Sequence, residues 1–332
     1  MVFNHRRHRG HGGCTEGFIL CAPSVSSVPA VVKKPRSSRH LRSFNGFGPG
    51  RAPSGRILFY TPAFDFDGFV REETEKMLSW YRERVREHGA SAATGLLARV
   101  VWSRGATALA NRLLAGRVVC PCCGWAGRKF YDFLEIGCTA RDAECPRCNS
   151  HPRHRAFAVW LRRVYELEKR TGVALVFAPE RALEELWAEA KNLVVVKTDI
   201  EPSRGVDLLA DIQRLPFADR SFDLIWCQHV LTQISDDRAA IREMTRVLRR
   251  APAGELIVSV AQGAGARTRE FGRADKNHLG FWRIYGADFT ERLEEAGLEV
   301  RRVGYGLSAE ECARYGIDSD EGFFICTRAA SV

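Results

Sequence analysis

Nowhere in its 332 residues does the chain hold an apolar run of the roughly 18 positions that a bilayer-spanning helix needs. A protein threaded through the membrane on such a helix is thereby excluded. Its eleven cysteines are too thinly spread over this length for a secreted disulfide scaffold. Acid is nearly missing from the first 56 positions, where Glu16 stands alone against ten Lys or Arg, a net charge of +9. Helical or strand periodicity is missing there too, so this stretch lacks the pattern that buries a face. Aromatic residues are not interleaved with the basic ones of residues 99–170, which carry 14 basic and 6 acidic groups. A stacking platform for single-stranded nucleic acid is therefore not called for, although a basic face is available.

What is present divides the chain unevenly. Residues 1–56 are rich in Arg, Ser, Gly and Pro and read as a disordered basic tail. An organelle transit peptide and a true start nearer Ile57 are the alternatives for this tail. Residues 171–332 carry 21 basic and 26 acidic groups. The overall charge of +10 thus comes from the first half of the chain and is no argument for nucleic acid by itself.

From Asp67 onward Val70, Thr74, Met77, Leu78, Tyr81 and Val85 recur three or four apart, which predicts a helix. A second helix is expected over about 96–114. Leu97, Val101, Leu109 and Leu113 form its face, and Gly105 interrupts it. Arg99, Arg104 and Arg112 on this helix suit an anionic membrane surface, while a lead-in packed on the main domain is the plainer reading.

Cys120-Pro121-Cys122-Cys123-Gly124 is followed by Cys145-Pro146-Arg147-Cys148-Asn149. Two C-x2-C pairs can each form a tight knuckle, and two knuckles complete a tetrahedral thiolate site that suits zinc. Gly124 and Asn149 tolerate the left-handed backbone that such knuckles often require. Cys120, Cys123, Cys145 and Cys148 are the expected ligands of a closed, structural site. Cys122 should point away from it. Cys138 is expected to be a core or surface thiol, and His151 and His154 are possible substitutes for a cysteine. Arg153-His154-Arg155 opens the next predicted helix.

Residues 173–178 (VALVFA), 193–196, 206–210, 223–227 and 255–260 are short apolar runs separated by helical stretches at 182–190 and 236–249. Such alternation predicts a doubly wound parallel α/β sheet, with ligands at the carboxyl ends of its strands. A helix is expected over 290–296, a further strand from Gly297, and a last strand over 322–327. An added loop with a short helix should fill 308–319.

The stretch DIQRLPFADRSFDLIWCQHVL, from Asp211 to Leu231, resembles the corresponding region of class I S-adenosylmethionine-dependent methyltransferases. Asp211-Ile212, Leu215-Pro216-Phe217, Ser221-Phe222-Asp223 and His229-Val230-Leu231 carry the resemblance. With the cysteine pairs and Arg153-His154-Arg155, it extends over about 119–328 to methyltransferase-like proteins that join a zinc ribbon to such a domain. The resemblance implies a Rossmann-like, mostly parallel seven-stranded sheet whose last strand is antiparallel. It implies S-adenosylmethionine as cofactor and zinc as structural metal. Asp199 would accept from the ribose hydroxyls and Asp211 from the adenine amino group, with Ile212 against the ring. Gln228 would lie near the transferred methyl, and His229 would be the candidate catalytic base. The glycine-rich loop usual after the first strand is absent, and Phe177-Ala178-Pro179-Glu180 stands in its place. Ala178, Pro179 and Glu180 are then expected at the methionine end.

The chain thus divides into the tail at 1–56, a helical lead-in at 57–118, a zinc ribbon at 119–155 and a methyltransferase domain at 156–332. A small-molecule or glycan-type acceptor ranks ahead of RNA, and a cytoplasmic location is expected. A Rossmann-like binding module that has lost the cofactor is the alternative.

Overall fold

The computed structural model describes residues 66–136, 138–202, 205–275, 278, 280–317 and 322–328. The reading of residues 1–56 lies outside the described residues. The chain divides into two compact units with their boundary between Leu97 and Ala98, inside a helix.

Before the boundary, α1 (Phe66–His88) leads through Gly89, at φ +86°, into α2 (Ala90–Leu113). Ala93 and Leu96 are buried, and Tyr81 Oη and Thr94 Oγ1 share a 3.0 Å hydrogen bond. Met77 and Leu78, expected on a packed face, are exposed. The helix α2 begins six residues earlier than the apolar spacing indicated, and it runs through Gly105 without interruption. A single interior glycine costs a helix only about 1 kcal/mol, which its neighbours offset.

Beyond the boundary, the remainder of α2 leads to two small antiparallel hairpins. The first joins β1 (Val118–Val119) to β2 (Ala126–Gly127), and the second joins β3 (Tyr131–Glu135) to β4 (Cys138–Glu144). The sheet domain then begins with α3 (Pro152–Arg163), β5 (Gly172–Phe177), α4 (Glu184–Glu189), β6 (Leu193–Asp199), β7 (Leu208–Leu209) and β8 (Leu224–Gln228). It continues with α5 (Asp237–Val247), β9 (Glu255–Ser259), a hairpin of β10 (Arg269–Asp275) and β11 (Phe281–Ile284), and α6 (Phe289–Glu294). The last elements are β12 (Leu298–Gly304), α7 (Ala309–Tyr315) and β13 (Gly322–Arg328).

Seven strands form one sheet in the order β12-β13-β9-β8-β5-β6-β7. β5 pairs in parallel with β6 and β8, β6 with β7, and β8 with β9, whereas β13 runs antiparallel to both of its neighbours. This is the doubly wound sheet with an antiparallel last strand that the sequence implied. Successive residues of a strand point to opposite faces, and here both faces are covered. Ala174, Val176, Trp226, Ile257, Phe323 and Ile325 meet α3 and α4 on one face. Leu175, Ile225, Leu256, Val258, Phe324 and Cys326 meet α5 and α6 on the other. On the first face Phe157 of α3 sits edge-on to Trp226, with ring centroids 4.7 Å apart. Each such buried side chain contributes roughly 1.5–3 kcal/mol. Gly172 at the start of β5 is obligatory for two reasons. Its φ is +112°, and a Cβ there would come within 2.3 Å of the Asp223 carboxylate, which accepts from Val173 N.

Strand order reverses between β5 and β8, because the chain winds outward through β6 and β7 before returning to β8. The crevice above the carboxyl ends of these two strands is the usual ligand position in open α/β sheets. Among the described residues no helix is long and apolar enough to cross a membrane.

Candidate cofactor cleft and metal centre

The turn after β5 takes an uncommon backbone. Ala178 has φ +45°, a left-handed conformation that glycine adopts easily and alanine does not. Its N–H donates to Thr198 O at 2.9 Å, so the turn is anchored to β6. His229, directly after β8, also lies in this region at φ +56°, with its N–H held by Ser259 O. Two non-glycine residues with positive φ therefore flank the crevice. Backbone strain of this kind clusters at functional sites because surrounding structure must hold it in place.

Between them lies a polar cluster that the sequence reading missed. Glu180 Oε1 accepts from Arg153 Nη2 and from His154 Nε2, both at 2.7 Å. His151 N donates to His154 Nδ1 at 3.0 Å, which puts the His154 proton on Nε2, facing Glu180. Both ring nitrogens of His154 are thus engaged away from the cysteines. Burial by itself would raise the Glu180 carboxyl; the adjacent His154 and Arg153 outweigh it and hold the group well below the usual carboxylate range. Glu180 Oε2 and His229 Nδ1 are buried without a hydrogen-bond partner. Burial, and then the charge of Arg153, pushes the His229 imidazole down to about 3, so it is neutral at neutral pH.

Asp199 ends β6. Its Oδ1 accepts from Ile200 N at 2.7 Å and Glu201 N at 3.4 Å, while Oδ2 has no partner among the described residues. Burial raises its carboxyl above the ordinary value, and the two backbone donors oppose that shift. Asp211 is more occupied, since it accepts from Gln213 N at 2.9 Å and Gln213 Nε2 at 3.2 Å. Ile212 beside it is buried. Gln228 is buried in the sheet, where Nε2 donates to Ile257 O at 2.9 Å and Oε1 accepts from Ser259 Oγ. Its amide is committed to β9 and braces the strand end. Ala178, Pro179 and Glu180 follow β5, Asp199 ends β6, Asp211 and Ile212 follow β7, and Gln228 and His229 close β8. All stand at the carboxyl edge of parallel strands.

The cysteine pairs form knuckles. Gly124 N donates to Cys120 O at 2.8 Å and Asn149 N to Cys145 O at 2.9 Å, with φ +71° at Gly124 and +56° at Asn149. The sulfurs of Cys120, Cys123, Cys145 and Cys148 all lie within 4.8 Å of one another, and this set could hold a metal ion. Cys120 and Cys148 are 3.6 Å apart, and Cys123 and Cys145 3.7 Å. A tetrahedron with bonds of about 2.3 Å has edges of about 3.8 Å, so the spacing fits four thiolates on one zinc. Cys122 stands apart from this set. It is buried. Just after the second knuckle, Arg155 is fully buried. Its guanidinium donates to Ala143 O and Ser150 O in the ribbon and to Tyr315 O and Gly316 O at the end of α7, over the ring of Phe130.

Residues 175–258 match the family model described as "Methyltransferase domain". Among curated proteins, a 27-O-demethylrifamycin SV methyltransferase from Amycolatopsis mediterranei is 32% identical over 144 residues, 40% of this chain and 47% of that protein. A demethylmenaquinone methyltransferase from a Mycobacterium species is 37% identical over 97 residues, 29% of this chain and 40% of that protein. The chain spans less than half the length of either relative. Among solved structures, an S-adenosylmethionine-dependent methyltransferase from Mesorhizobium loti is similar at 13% identity and a TM-score of 0.37, over 52% of this chain and 98% of that one. A 1,6-didemethyltoxoflavin-N1-methyltransferase from Burkholderia thailandensis is similar at 16% identity and a TM-score of 0.37, over 53% of this chain and 77% of that one. The fold is that of a Rossmann-like sheet, and residues 175–258 within it are similar to a methyltransferase domain.

Proposed function

We propose that the protein is an S-adenosylmethionine-dependent methyltransferase with a structural zinc ribbon, acting on a small-molecule or glycan-type acceptor. The match of residues 175–258 to the methyltransferase domain, on a sheet with an antiparallel last strand, supports this reading. The relatives named for a rifamycin SV derivative and for demethylmenaquinone favour a small molecule over RNA. Four protein thiolates leave no position on the metal for a substrate, which makes the zinc structural.

Bound S-adenosylmethionine supplies a methyl group on a positively charged sulfur. The chain's own residues have to bind and align. Asp199 takes the ribose hydroxyls on its open Oδ2. Asp211 and Ile212 take the adenine, with a smaller share from Asp211 because Gln213 already occupies its carboxylate. Ala178 and Pro179 shape the methionine end, and the unpartnered Glu180 Oε2 receives the ammonium group. Gln228 braces the floor. His229, neutral and half-buried, offers Nδ1 to the acceptor. Its low basicity suits a hydrogen bond that orients the acceptor, while any proton released passes to solvent.

Calorimetry tests this directly. Wild-type protein should bind S-adenosylmethionine and S-adenosylhomocysteine. Asp199→Ala should raise the dissociation constant at least tenfold, since a hydrogen bond to a charged group is worth about 1.5–3 kcal/mol. No heat of binding at millimolar ligand would overturn the reading in favour of a module that has lost the cofactor.

One observation favours a second reading, in which RNA docks on the ribbon. A cavity of about 690 Å³ is lined by four cations, Arg117, Arg128, Lys129 and Arg314, against two carboxylates, Asp142 and Glu310. Affinity for a short RNA should then fall with salt at a log–log slope of about −0.7 per phosphate neutralised. Arg117→Gln with Arg128→Gln should flatten that slope by about one unit or more. A slope near zero in the wild type removes the RNA reading.

A further inference from the structure

The C-terminal half of α2 makes polar contacts on its inner side and carries apolar residues on its outer side. The helix carries three arginines and no acidic residue. Its polar side turns inward. Arg104 Nη2 meets Glu144 at 2.7 Å, Ser103 Oγ meets Asp132 at 3.0 Å, and Asn111 Oδ1 accepts from the backbone of Arg128 and Lys129. The apolar side faces out: Val101, Trp102, Leu109 and Leu113 are 60, 80, 58 and 70% exposed. At 3.6 residues per turn these four fall on one stripe, with Ala98 and Gly105 between them. Isolated exposed hydrophobics are ordinary, but four on one helical stripe mark a surface that something covers. Arg99 borders the stripe and Arg112 falls within it at its C-terminal end, and neither meets a carboxylate among the described residues.

Charge decides among the possible occupants. The 56 residues at the start of the chain carry +9 and would bring like charge to this helix. A second copy would set arginine against arginine. We propose that α2 docks on the surface of an anionic lipid bilayer. The stripe enters the boundary between headgroups and acyl chains, Trp102 sits at headgroup level, and Arg99 and Arg112 reach the lipid phosphates. From Val101 to Leu113 the stripe extends about 18 Å along the helix axis, which lies in the plane and does not cross.

The test uses the full chain, vesicles of phosphatidylcholine alone, and vesicles containing 30 mol% phosphatidylglycerol (roughly, as an anionic surface). Sedimentation at low salt should show binding to the anionic vesicles at least tenfold tighter than to the neutral ones. Leu109→Ser with Leu113→Ser should weaken it at least tenfold, and Arg99→Gln and Arg112→Gln by about fivefold each. Both sets change exposed side chains, so the circular dichroism spectrum and S-adenosylmethionine binding should not move. Brominated lipid should quench tryptophan emission in the wild type and much less in Trp102→Tyr. Failure to sediment with anionic vesicles overturns the proposal. So does binding that the leucine changes leave intact, or a dimer in light scattering that those changes dissolve.

Discussion

Purified protein should contain about one zinc per chain, and stripping it with a strong chelator should melt the segment from Cys120 to Arg155. The two hairpins of the ribbon are short, and β1 and β2 have only two residues each. Little apolar surface is available there to offset the ordering entropy of the loops. Zinc on four thiolates contributes about 10–16 kcal/mol in small zinc domains, as much as the whole stability of a typical domain at about 5–15 kcal/mol. The loss would not stay local. Arg155 draws four of its acceptors from the ribbon and from the end of α7, so an unfolded ribbon leaves a buried guanidinium half-paired. Melting should therefore reach α3 and α7. Cys145→Ser should lose the zinc and reproduce the chelated state by near-ultraviolet circular dichroism. Cys122→Ser should keep about one zinc, because Cys122 lies outside the set that converges. A metal-free preparation with an intact spectrum would dismiss the zinc centre.

The features legible in the sequence are those with short-range causes. A C-x2-C turn needs a residue that tolerates positive φ just after it, and Gly124 and Asn149 both show that conformation. An apolar run such as 173–178 between turn residues fits a strand covered on both faces, and β5 over Gly172–Phe177 is one. The antiparallel last strand came from the family likeness, not from local pattern. The β10–β11 hairpin gave no signal, because Arg269 to Asp275 is mostly exposed and polar and lacks strand alternation. The expected third strand over 206–210 shrinks to two residues at the sheet edge, where there is no second neighbour to pair with. Gln228 looked like a cleft residue by position, yet its partners lie on a strand thirty residues later. The Arg153–His154–Glu180 cluster joins residues 26 and 27 apart in sequence, which no local spacing reveals. One clue was present all the same. Basic residues in the first turn of a helix oppose its dipole, so Arg153 and Arg155 called for acceptors supplied by another part of the chain.

That clue sets the second large effect. Glu180→Ala should destabilise the protein by about 3–5 kcal/mol, because it removes the buried carboxylate oxygen that accepts from both Arg153 and His154. For a domain of this size, that is a fall in melting temperature of roughly 6–20 °C. Glu180→Gln should fall between the two, since the amide oxygen still accepts from Arg153 and His154 but carries no charge. The acid range gives an independent reading. The folded Glu180 carboxyl lies below its ordinary value of 4.5. Its charge therefore contributes stability in full above that value, and the contribution drains away as pH falls toward the folded value. The gap between wild type and Glu180→Gln in urea midpoint should be constant from about pH 6 to 8 and narrow below about pH 4.5. The cluster also fixes the turn that carries Ala178 at positive φ, beside the cleft proposed for the methionine end. Glu180→Gln should thus weaken S-adenosylhomocysteine binding even at temperatures where it is fully folded. A Glu180→Ala protein as stable as the wild type would mean that Arg153 and His154 are satisfied without Glu180, and the cluster would then have no part in holding the cleft.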